Sequence, residues 1–198
     1  MLTRAVDTRL PTSFGEFLLC AYTENASVHP HLALIKGAVE GAHALLVRIH
    51  SECMTGDVFS SQRCDCGIQL EVSLQMIELE GSGVLIYLRQ EGRGIGLLNK
   101  LHAYRLQDGG LDTVEANLHL GFGADQRDYA GAVAVLEDLG VSTIRLLTNN
   151  PAKIAAFDGS SIRVVARVPL VVPVTDHNRR YLKVKQLRLG HLLEETEQ

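Results

Sequence analysis

Three cysteines fall close together in this chain, in a spacing that suits a metal ion. Cys53 is followed after ten residues by Cys64, and Cys66 comes two positions later. Zinc binds thiolates readily, and two cysteines on one short turn can reach the same ion as a third from a strand end. Three protein ligands are typical of a catalytic zinc site, in which one position stays open to water. Cys20 lies inside a strand-like pattern, so we expect it in the core.

The same spacing has other interpretations. His50 or His102 would complete a closed site of three cysteines and one histidine that only stabilises the fold. His50 and Glu52 also form the H-x-E pattern of zinc nucleobase deaminases. Those enzymes place a proline before two cysteines that are separated by two residues, and the stretch 64–66 has neither feature. From the spacing alone, a catalytic and a structural zinc site therefore stay open.

Further segments contain residues suited to an anionic ligand. A glycine-rich turn at 89–96 (RQEGRGIG) allows close backbone approach, and a predicted helix follows it. The glycines lack the dinucleotide-binding spacing, and no Walker A sequence occurs. Lys153 lies in the first turn of a predicted helix, where it is either a solvated surface lysine or the partner of a bound anion. Asp125 is a natural N-cap, and Arg127 is a candidate phosphate clamp.

Composition and charge disfavour several classes of protein. Of the 198 residues, 46% are hydrophobic and 21% are charged, which is close to globular averages and argues against disorder. With 19 basic and 23 acidic residues the formal charge is −4, so we expect no general affinity for nucleic acid. No apolar run is long enough to span a membrane, and the first residues lack a secretory pattern. We therefore expect a cytoplasmic protein without membrane association.

The periodicity predicts a mixed α/β fold, with a β-rich N-terminal part followed by an α/β layered sheet in a single compact domain over 1–198. Strands in hairpin or meander order are predicted at 14–23, 32–39 and 44–51. Helices and strands then alternate, with helices predicted at 66–80, 95–107, 127–139, from 151 and at 179–193, and strands at 84–88, 143–148 and 162–166. This order places the cysteines after the third strand, and the glycine-rich turn and Lys153 at strand-to-helix junctions.

Together, these segments resemble the GTP cyclohydrolase II family, whose members open GTP at the start of riboflavin synthesis. The similarity extends over nearly the whole chain, and its motifs are specific in combination. The matching stretches are 10–12 (LPT), 47–53 (VRIHSEC), 63–67 (RCDCG), 89–93 (RQEGR), 96–100 (GLLNK), 112–117 (DTVEAN), 146–151 (LLTNNP) and 190–193 (GHLL). Some members are fused behind a dihydroxybutanone phosphate synthase domain. Because 198 residues leave no room for it, we expect the stand-alone form.

The resemblance implies zinc-dependent hydrolysis of GTP, with release of formate and pyrophosphate, to a diaminopyrimidinone ribosylamino phosphate. Asp125 is similar to the family's proton acceptor, and Arg127 is similar to its nucleophile toward the α-phosphate. Tyr104 is similar to the residue that orients or protonates the opening guanine ring. A guanidinium stays protonated at neutral pH, so stabilising the leaving pyrophosphate is the more conservative role for Arg127. The implied zinc ligands, whose open position would hold the attacking water, are Cys53, Cys64 and Cys66.

The resemblance also implies a set of substrate contacts, a magnesium ion that accompanies the triphosphate, and a homodimer. Arg93, Arg127 and Lys153 would supply the positive charge for the triphosphate, and Mg²⁺ would offset part of the remainder. A carboxylate at Glu91 would accept from N1–H and the exocyclic amine of guanine, which is our hypothesis for base choice. The implied substrate contacts are Arg48, Ile49, His50, Ser51, Glu52, Gln69, Glu91, Gly92, Arg93, Thr113, Thr148 and Lys153.

Two outcomes short of full turnover stay open within this resemblance. Some related enzymes stop after the first hydrolysis and keep the formyl group on the pyrimidine. A zinc-containing nucleotide sensor that retains the fold without turnover is the remaining hypothesis from a different functional class.

Overall fold

Seven strands form one mixed β-sheet in the computed structural model, which describes residues 2–24 and 29–193. They are hydrogen-bonded in the order β1-β2-β3-β5-β4-β6-β7. The pairs β1–β2, β2–β3 and β3–β5 are antiparallel, whereas β4–β6 and β6–β7 are parallel. The predicted β-rich start followed by an α/β layer is thus confirmed. The strands are β1 (Thr3–Thr12), β2 (Gly15–Thr23), β3 (His31–Lys36), β4 (Leu45–Ser51), β5 (Gly83–Leu88), β6 (Thr143–Leu147) and β7 (Arg163–Val168).

The helices of the described residues connect and cover these strands. A short 3₁₀ turn at Glu91–Gly94 follows β5. Within the described ranges, none of the helices combines the length and apolar character that a membrane crossing requires. The helices are α1 (Met54–Asp57), α2 (Cys66–Glu80), α3 (Gly96–Asp108), α4 (Thr113–His119), α5 (Ala130–Asp138), α6 (Pro151–Ala155) and α7 (Arg179–Leu189).

The chain's contacts divide it into two compact units. The first unit takes in the ranges Met1–His50, Leu70–Arg89 and Tyr129–Leu170, and it contains the sheet with α5 and α6. The second unit takes in Ser51–Gln69, Gln90–Asp128 and Val171–Gln198, and it contains α1, α3, α4 and α7. The single domain expected over 1–198 stays a prediction.

The sheet of the first unit has a hydrophobic cluster on each face. Adjacent strand residues point to opposite faces, so Leu85 and Ile86 of β5 belong to different clusters. Leu136 of α5 belongs to the cluster around Ile86, and Ile77 of α2 belongs to the one around Leu85. Burial on both faces explains why these strands read as continuous apolar runs. Cys20 is fully buried in the first cluster, which confirms the expected core cysteine.

Two elements were absent from the sequence prediction. β1 is exposed along most of its length, so it shows no hydrophobic alternation, and it is held by antiparallel pairing with β2. α4 is short, but it carries a capping box in which Asp112 and Glu115 satisfy each other's backbone donors. The prediction for 127–139 was wrong at its start, because α5 begins at Ala130. Asp125 is therefore not the N-cap of that helix, and its carboxylate accepts hydrogen bonds from Arg127 instead.

Apolar periodicity identified α2 and α3 but not their buried faces. The bounds predicted for α2 are confirmed, although Leu79 of the predicted apolar stripe is 87% exposed. In α3, Leu98 is 70% exposed, whereas Lys100 is buried. The inward face of α3 is polar because it lines the pocket described below.

Candidate active site

The three clustered cysteines meet at the start of the second unit. Cys53 ends the segment after β4, and Cys64 and Cys66 lie at the start of α2. Their sulfur atoms lie within 4.8 Å of one another, and the Cys53 and Cys64 Sγ atoms are 3.7 Å apart. A tetrahedral zinc ion with bonds of about 2.3 Å to sulfur requires sulfur–sulfur separations of roughly 3.8 Å. The three free thiols fit such an ion, and no histidine joins their cluster among the described residues.

A short helix brings Cys53 to the other two sulfurs. The Asp57 carboxylate accepts the Cys53 backbone N–H at 2.9 Å, which fixes the start of α1. Gly56, inside α1, faces the sulfur cluster. A Cβ atom at Gly56 would lie 3.1 Å from the Cys64 sulfur and 3.2 Å from the Cys53 sulfur. A side chain at this position would therefore crowd the metal ligands.

The charge of the trio is concentrated on Cys53. Hydrogen bonds with Cys64 and Cys66, assisted by the nearby Lys100 ammonium, lower the pKa of Cys53. The hydrogen bond with the Cys53 thiolate is also the main reason that the pKa of Cys64 rises to about 11. The cluster thus holds a thiolate before any ion binds, and thiolate is the form that coordinates zinc.

Lys100 is the cation that balances this thiolate. Its Nζ lies 3.1 Å from the Cys53 sulfur and 2.8 Å from Oε1 of Glu91, and the side chain is largely buried. Burial opposes the charged form, but the Cys53 thiolate and Glu91 together raise the pKa of Lys100. Lys100 is therefore a charged group of the site that the sequence analysis did not identify.

Glu91 is bound to donors of the protein itself. Its carboxylate accepts the Met54 backbone N–H at 2.6 Å, the Gly92 backbone N–H at 2.7 Å and the Lys100 ammonium. These bonds join the turn after Cys53 to the glycine-rich turn and to α3. Both carboxylate oxygens are thus used inside the pocket wall, in contrast to the hypothesis that they face the guanine base.

A pocket of the second unit opens beside the sulfur cluster. α3 lines it with residues spaced as one helix face, at positions 100, 103, 104 and 107. Several predicted site residues meet here, whereas Asn117, Gln107 and Tyr181 were not predicted. The lining residues are Ser51, Glu52, Cys53, Cys64, Cys66, Glu91, Gly92, Arg93, Ile95, Lys100, Ala103, Tyr104, Gln107, Thr113, Asn117, Arg127 and Tyr181.

Arg93 contributes a donor that has no acceptor. Among the described residues, its Nη1 atom is buried and makes no hydrogen bond. The guanidinium lies 5.8 Å from the ring centre of Tyr181, and the Arg93 backbone adopts a φ of 60°, which is uncommon for a residue other than glycine. A buried donor without a partner is costly, so this position favours an anionic ligand.

The three residues expected to be catalytic have distinct surroundings. Burial raises the pKa of Tyr104 despite the nearby Lys100 ammonium, so its hydroxyl stays protonated at neutral pH. That hydroxyl lies 3.4 Å from Oγ1 of Thr55. Arg127 donates from Nε to both carboxylate oxygens of Asp125, at 2.8 and 3.1 Å. Burial raises the pKa of Asp125, but the Arg127 hydrogen bonds and charge lower it on balance.

The first unit contains the other predicted substrate contacts, at the carboxyl ends of β4 and β6. Arg48 donates to the Leu147 carbonyl at 3.0 Å, and Lys153 donates to the Ile49 carbonyl at 2.8 Å. Lys153 is buried, so it is not a solvated surface lysine. In the same unit His50 stacks on Tyr87, with 5.5 Å between ring centres, and the buried Thr148 hydroxyl accepts the Asn150 backbone N–H at 3.0 Å.

Gln69, the remaining predicted contact, belongs to the second unit, where its side-chain amide donates to Asp65. A signal for Lys100 was available, because a lysine near the start of a helix opposes the dipole as Lys153 does. Tyr181 had no such signal, since it lies far along the chain from every other lining residue.

Comparisons with known proteins agree with the resemblance. The riboflavin biosynthesis protein RibBA of Bacillus mycoides (strain KBAB4) is 55% identical over 193 residues, which cover 98% of this chain and 49% of that protein. RibBA of Bacillus cytotoxicus (strain DSM 22905) is 57% identical over 192 residues, which cover 97% and 48%. The chain thus spans about half the length of these curated relatives.

One solved structure is also similar. RibBX, a two-domain 3,4-dihydroxy-2-butanone 4-phosphate synthase from A. baumannii, is 19% identical with a TM-score of 0.47, over 87% of this chain and 40% of that one. Finally, the sequence profile of GTP cyclohydrolase II matches residues 3–169. The chain therefore belongs to the GTP cyclohydrolase II family, a family of hydrolytic enzymes of riboflavin biosynthesis.

Proposed function

We propose that this chain hydrolyses GTP, opening the guanine imidazole ring and releasing formate and pyrophosphate. The observation that carries the proposal is one pocket lined by three thiols at zinc spacing and by a buried arginine donor without an acceptor. The thiols suit a metal-activated water, and the arginine suits a phosphate. Family membership supplies the substrate class that joins these two features.

Zinc is the proposed metal, with Cys53, Cys64 and Cys66 as its ligands. A zinc ion in such a site acts as a Lewis acid and lowers the pKa of a bound water. Lys100 holds its ammonium against Cys53 and so limits the negative charge that the three sulfurs bring together. Glu91 holds Lys100 and the two adjoining turns in place, so we propose that it shapes the pocket and does not read the base.

Proton transfer is assigned to Asp125 and Tyr104. The lowered pKa of Asp125 keeps its carboxylate ionised at neutral pH, as a proton acceptor must be. The raised pKa of Tyr104 keeps its hydroxyl protonated, so it is able to donate to the opening ring. Both assignments follow the family resemblance and agree with the charge state of each group.

Phosphate binding is assigned to Arg93 and Arg127, with Mg²⁺ accompanying the triphosphate. Asp125 holds the Arg127 guanidinium by a two-point ion pair, which leaves it oriented and positively charged. A group with this charge stabilises a leaving pyrophosphate better than it attacks a phosphorus atom. The substrate contacts expected in the first unit, Arg48, Ile49, His50, Thr148 and Lys153, stay predictions.

A homodimer in the cytoplasm completes the proposal. Large apolar side chains on the second unit are exposed, among them Phe59 at 71% and Leu98 at 70%, and exposed apolar surface of this kind favours association. Free thiols at a metal site need a reducing compartment. Sedimentation at micromolar concentration tests the dimer, and a monomer in that measurement would contradict it.

One assay tests the reaction itself. The protein is incubated with GTP, Zn²⁺ and Mg²⁺, and formate, pyrophosphate and ammonia are measured in the same samples. Formate together with pyrophosphate supports the proposal. Pyrophosphate without formate indicates an enzyme that keeps the formyl group, ammonia indicates a deaminase, and GTP binding without any product indicates a sensor. Each of these three results would overturn the proposed reaction.

A further inference from the structure

The C-terminal helix α7 contacts the segment that carries two of the three cysteines. This helix lies beyond residues 3–169, which the family profile matches. Lys185 of α7 is buried, and its Nζ lies 2.8 and 2.9 Å from the two carboxylate oxygens of Asp65. Asp65 is fully buried, and it stands between Cys64 and Cys66 in the sequence.

The Asp65 carboxylate is held from two directions. Gln69, one turn later in α2, donates its side-chain amide to Asp65, and its backbone N–H donates to the Asp65 carbonyl at 3.0 Å. Lys185 approaches from α7, which is 120 positions away along the chain. A buried carboxylate requires a charged or hydrogen-bonding partner to remain ionised. Loss of Lys185 would leave Asp65 without its paired cation, and the turn that presents the two sulfurs would have to rearrange.

The same face of α7 also forms part of the pocket wall. Tyr181 precedes Lys185 by one helical turn, and the Lys185 Nζ lies 5.2 Å from its ring centre. Tyr181 lines the pocket beside the sulfurs and contacts Arg93 from the other side of the sequence. α7 therefore joins two parts of the site, the cysteine turn and the arginine that lacks an acceptor.

We propose that Lys185 is a positioning residue for the metal site. Its ion pair with Asp65 fixes the turn 64–66, so that the Cys64 and Cys66 sulfurs are held at the spacing that one ion requires. Groups that orient metal ligands through a second contact commonly change metal affinity by about 10- to 100-fold when they are removed. The inference rests on the proposed zinc site, but it does not depend on which reaction the zinc serves.

The test compares two lysines of one helix in the full-length chain. Lys185→Met keeps the length of the side chain and removes its charge, and Lys183→Met makes the same change at an exposed position of α7. Zinc affinity is measured by competition with a chromophoric chelator, and folding is checked by circular dichroism. We expect zinc binding to weaken by about 10- to 100-fold in Lys185→Met and to stay unchanged in Lys183→Met.

Two further measurements separate positioning from a general loss of structure. The absorption bands between thiolate and Co²⁺ report the geometry of the sulfur ligands, and we expect them to change in Lys185→Met alone. Lys185→Arg keeps the charge and should restore most of the zinc affinity, which also provides a folded variant if the methionine variant does not fold. In a cycle with Asp65→Asn, the two substitutions together should cost less than the sum of their separate effects.

The outcomes distinguish this inference from the proposed reaction. A folded Lys185→Met protein with unchanged zinc affinity and an unchanged Co²⁺ spectrum would overturn the positioning role. Failure of Lys185→Arg to restore affinity would overturn it as well. If the unaltered chain binds zinc but yields no formate from GTP, the proposed reaction fails while the role of Lys185 is still measured. If the unaltered chain binds no zinc, both fail.

Discussion

Gly56 determines how closely the three sulfurs of the candidate site approach one another. It lies inside helix α1, where its backbone is helical and alanine would ordinarily be preferred. The reason for glycine is therefore steric, because a Cβ atom would lie 3.1 Å from the Cys64 sulfur and from Cβ of Cys66. Contacts this short require the sulfurs to move apart.

Gly56→Ala should weaken zinc binding by about tenfold while leaving the helix itself no less stable. The measurement is chelator competition on the purified variant. Gly123→Ala is the matched control, because a Cβ atom there meets its nearest neighbour at an ordinary 3.8 Å. Equal zinc affinity in the two variants would contradict the crowding argument.

Arg93 and Lys100 are two cations of one pocket with opposite circumstances. Lys100 has its partners within the protein, at the Cys53 sulfur and the Glu91 carboxylate. Arg93 has a buried Nη1 atom without an acceptor among the described residues. The structure therefore separates a cation that maintains the site from one that is free to bind a ligand.

Arg93→Gln should raise the KM for GTP by roughly 10- to 100-fold, since a charged hydrogen bond to phosphate is worth about 1.5–3 kcal/mol. Its free energy of unfolding should change by less than about 1 kcal/mol, because only the contact with Tyr181 is lost. Steady-state kinetics and urea unfolding measure the two quantities. Arg179→Gln, at an exposed position of α7, is the control, and an unchanged KM in Arg93→Gln would exclude Arg93 from substrate binding.

At the scale of elements, helix α4 shows how a short segment is positioned without a long apolar stripe. The Asp112 carboxylate accepts the backbone N–H groups of Val114 and Glu115 at 2.7 and 2.8 Å. The Glu115 side chain returns a bond to the Asp112 backbone. This capping box starts the helix that presents Thr113 and Asn117 to the pocket.

Asp112→Ala should lower the free energy of unfolding by about 1 kcal/mol, as the loss of an N-cap does. Asp112→Asn keeps a capping side chain and removes the exposed ion pair with Arg188, so it should cost less than about 0.5 kcal/mol. Urea unfolding curves for the two variants make the comparison. Similar losses in both would assign the stability to the ion pair and not to the cap.

The periodicity of the elements themselves had limited reach. It located α2 at the observed bounds and placed β5 and β6 within one residue at an end. It misjudged the buried faces, since Leu98 is exposed and Lys100 is buried. A helix that lines a polar pocket turns charged groups inward, so hydrophobic rhythm no longer indicates which side is covered.

At the scale of the whole molecule, His31 should make the stability of the chain depend on pH. Its Nδ1 atom accepts the Arg89 backbone N–H at 3.0 Å, which requires the neutral ring. Burial lowers the pKa of His31 below its usual 6.5, although the nearby Glu24 opposes this. Below about pH 6.5 the unfolded chain gains a proton that the folded chain resists, so the stability contributed by His31 is lost as the pH falls.

His31→Asn keeps an acceptor near the same place and removes the titration. The free energy of unfolding of the unaltered chain should therefore decrease more steeply between pH 7 and pH 5 than that of His31→Asn. Urea unfolding at several pH values gives both slopes, and the carboxylates contribute equally to each. Parallel slopes would show that His31 takes up its proton equally well in the folded chain.

The sequence by itself determined the local chemistry of this protein. The spacing of Cys53, Cys64 and Cys66 predicted a metal site, and apolar runs with turn signals predicted the mixed α/β order. Both succeed for the same physical reason. Ligands on one turn and side chains on one strand are close in space because they are close along the backbone, so their geometry needs no knowledge of the rest of the fold.

Only the tertiary structure decided which charges are buried and what balances them. Lys100 reaches Cys53 across 47 positions, and Lys185 reaches Asp65 across 120. Glu91 could be assigned to the pocket wall only once its three donors were located. A buried charge is stable only with a partner, and the partner is supplied by packing between distant segments, which local spacing does not encode.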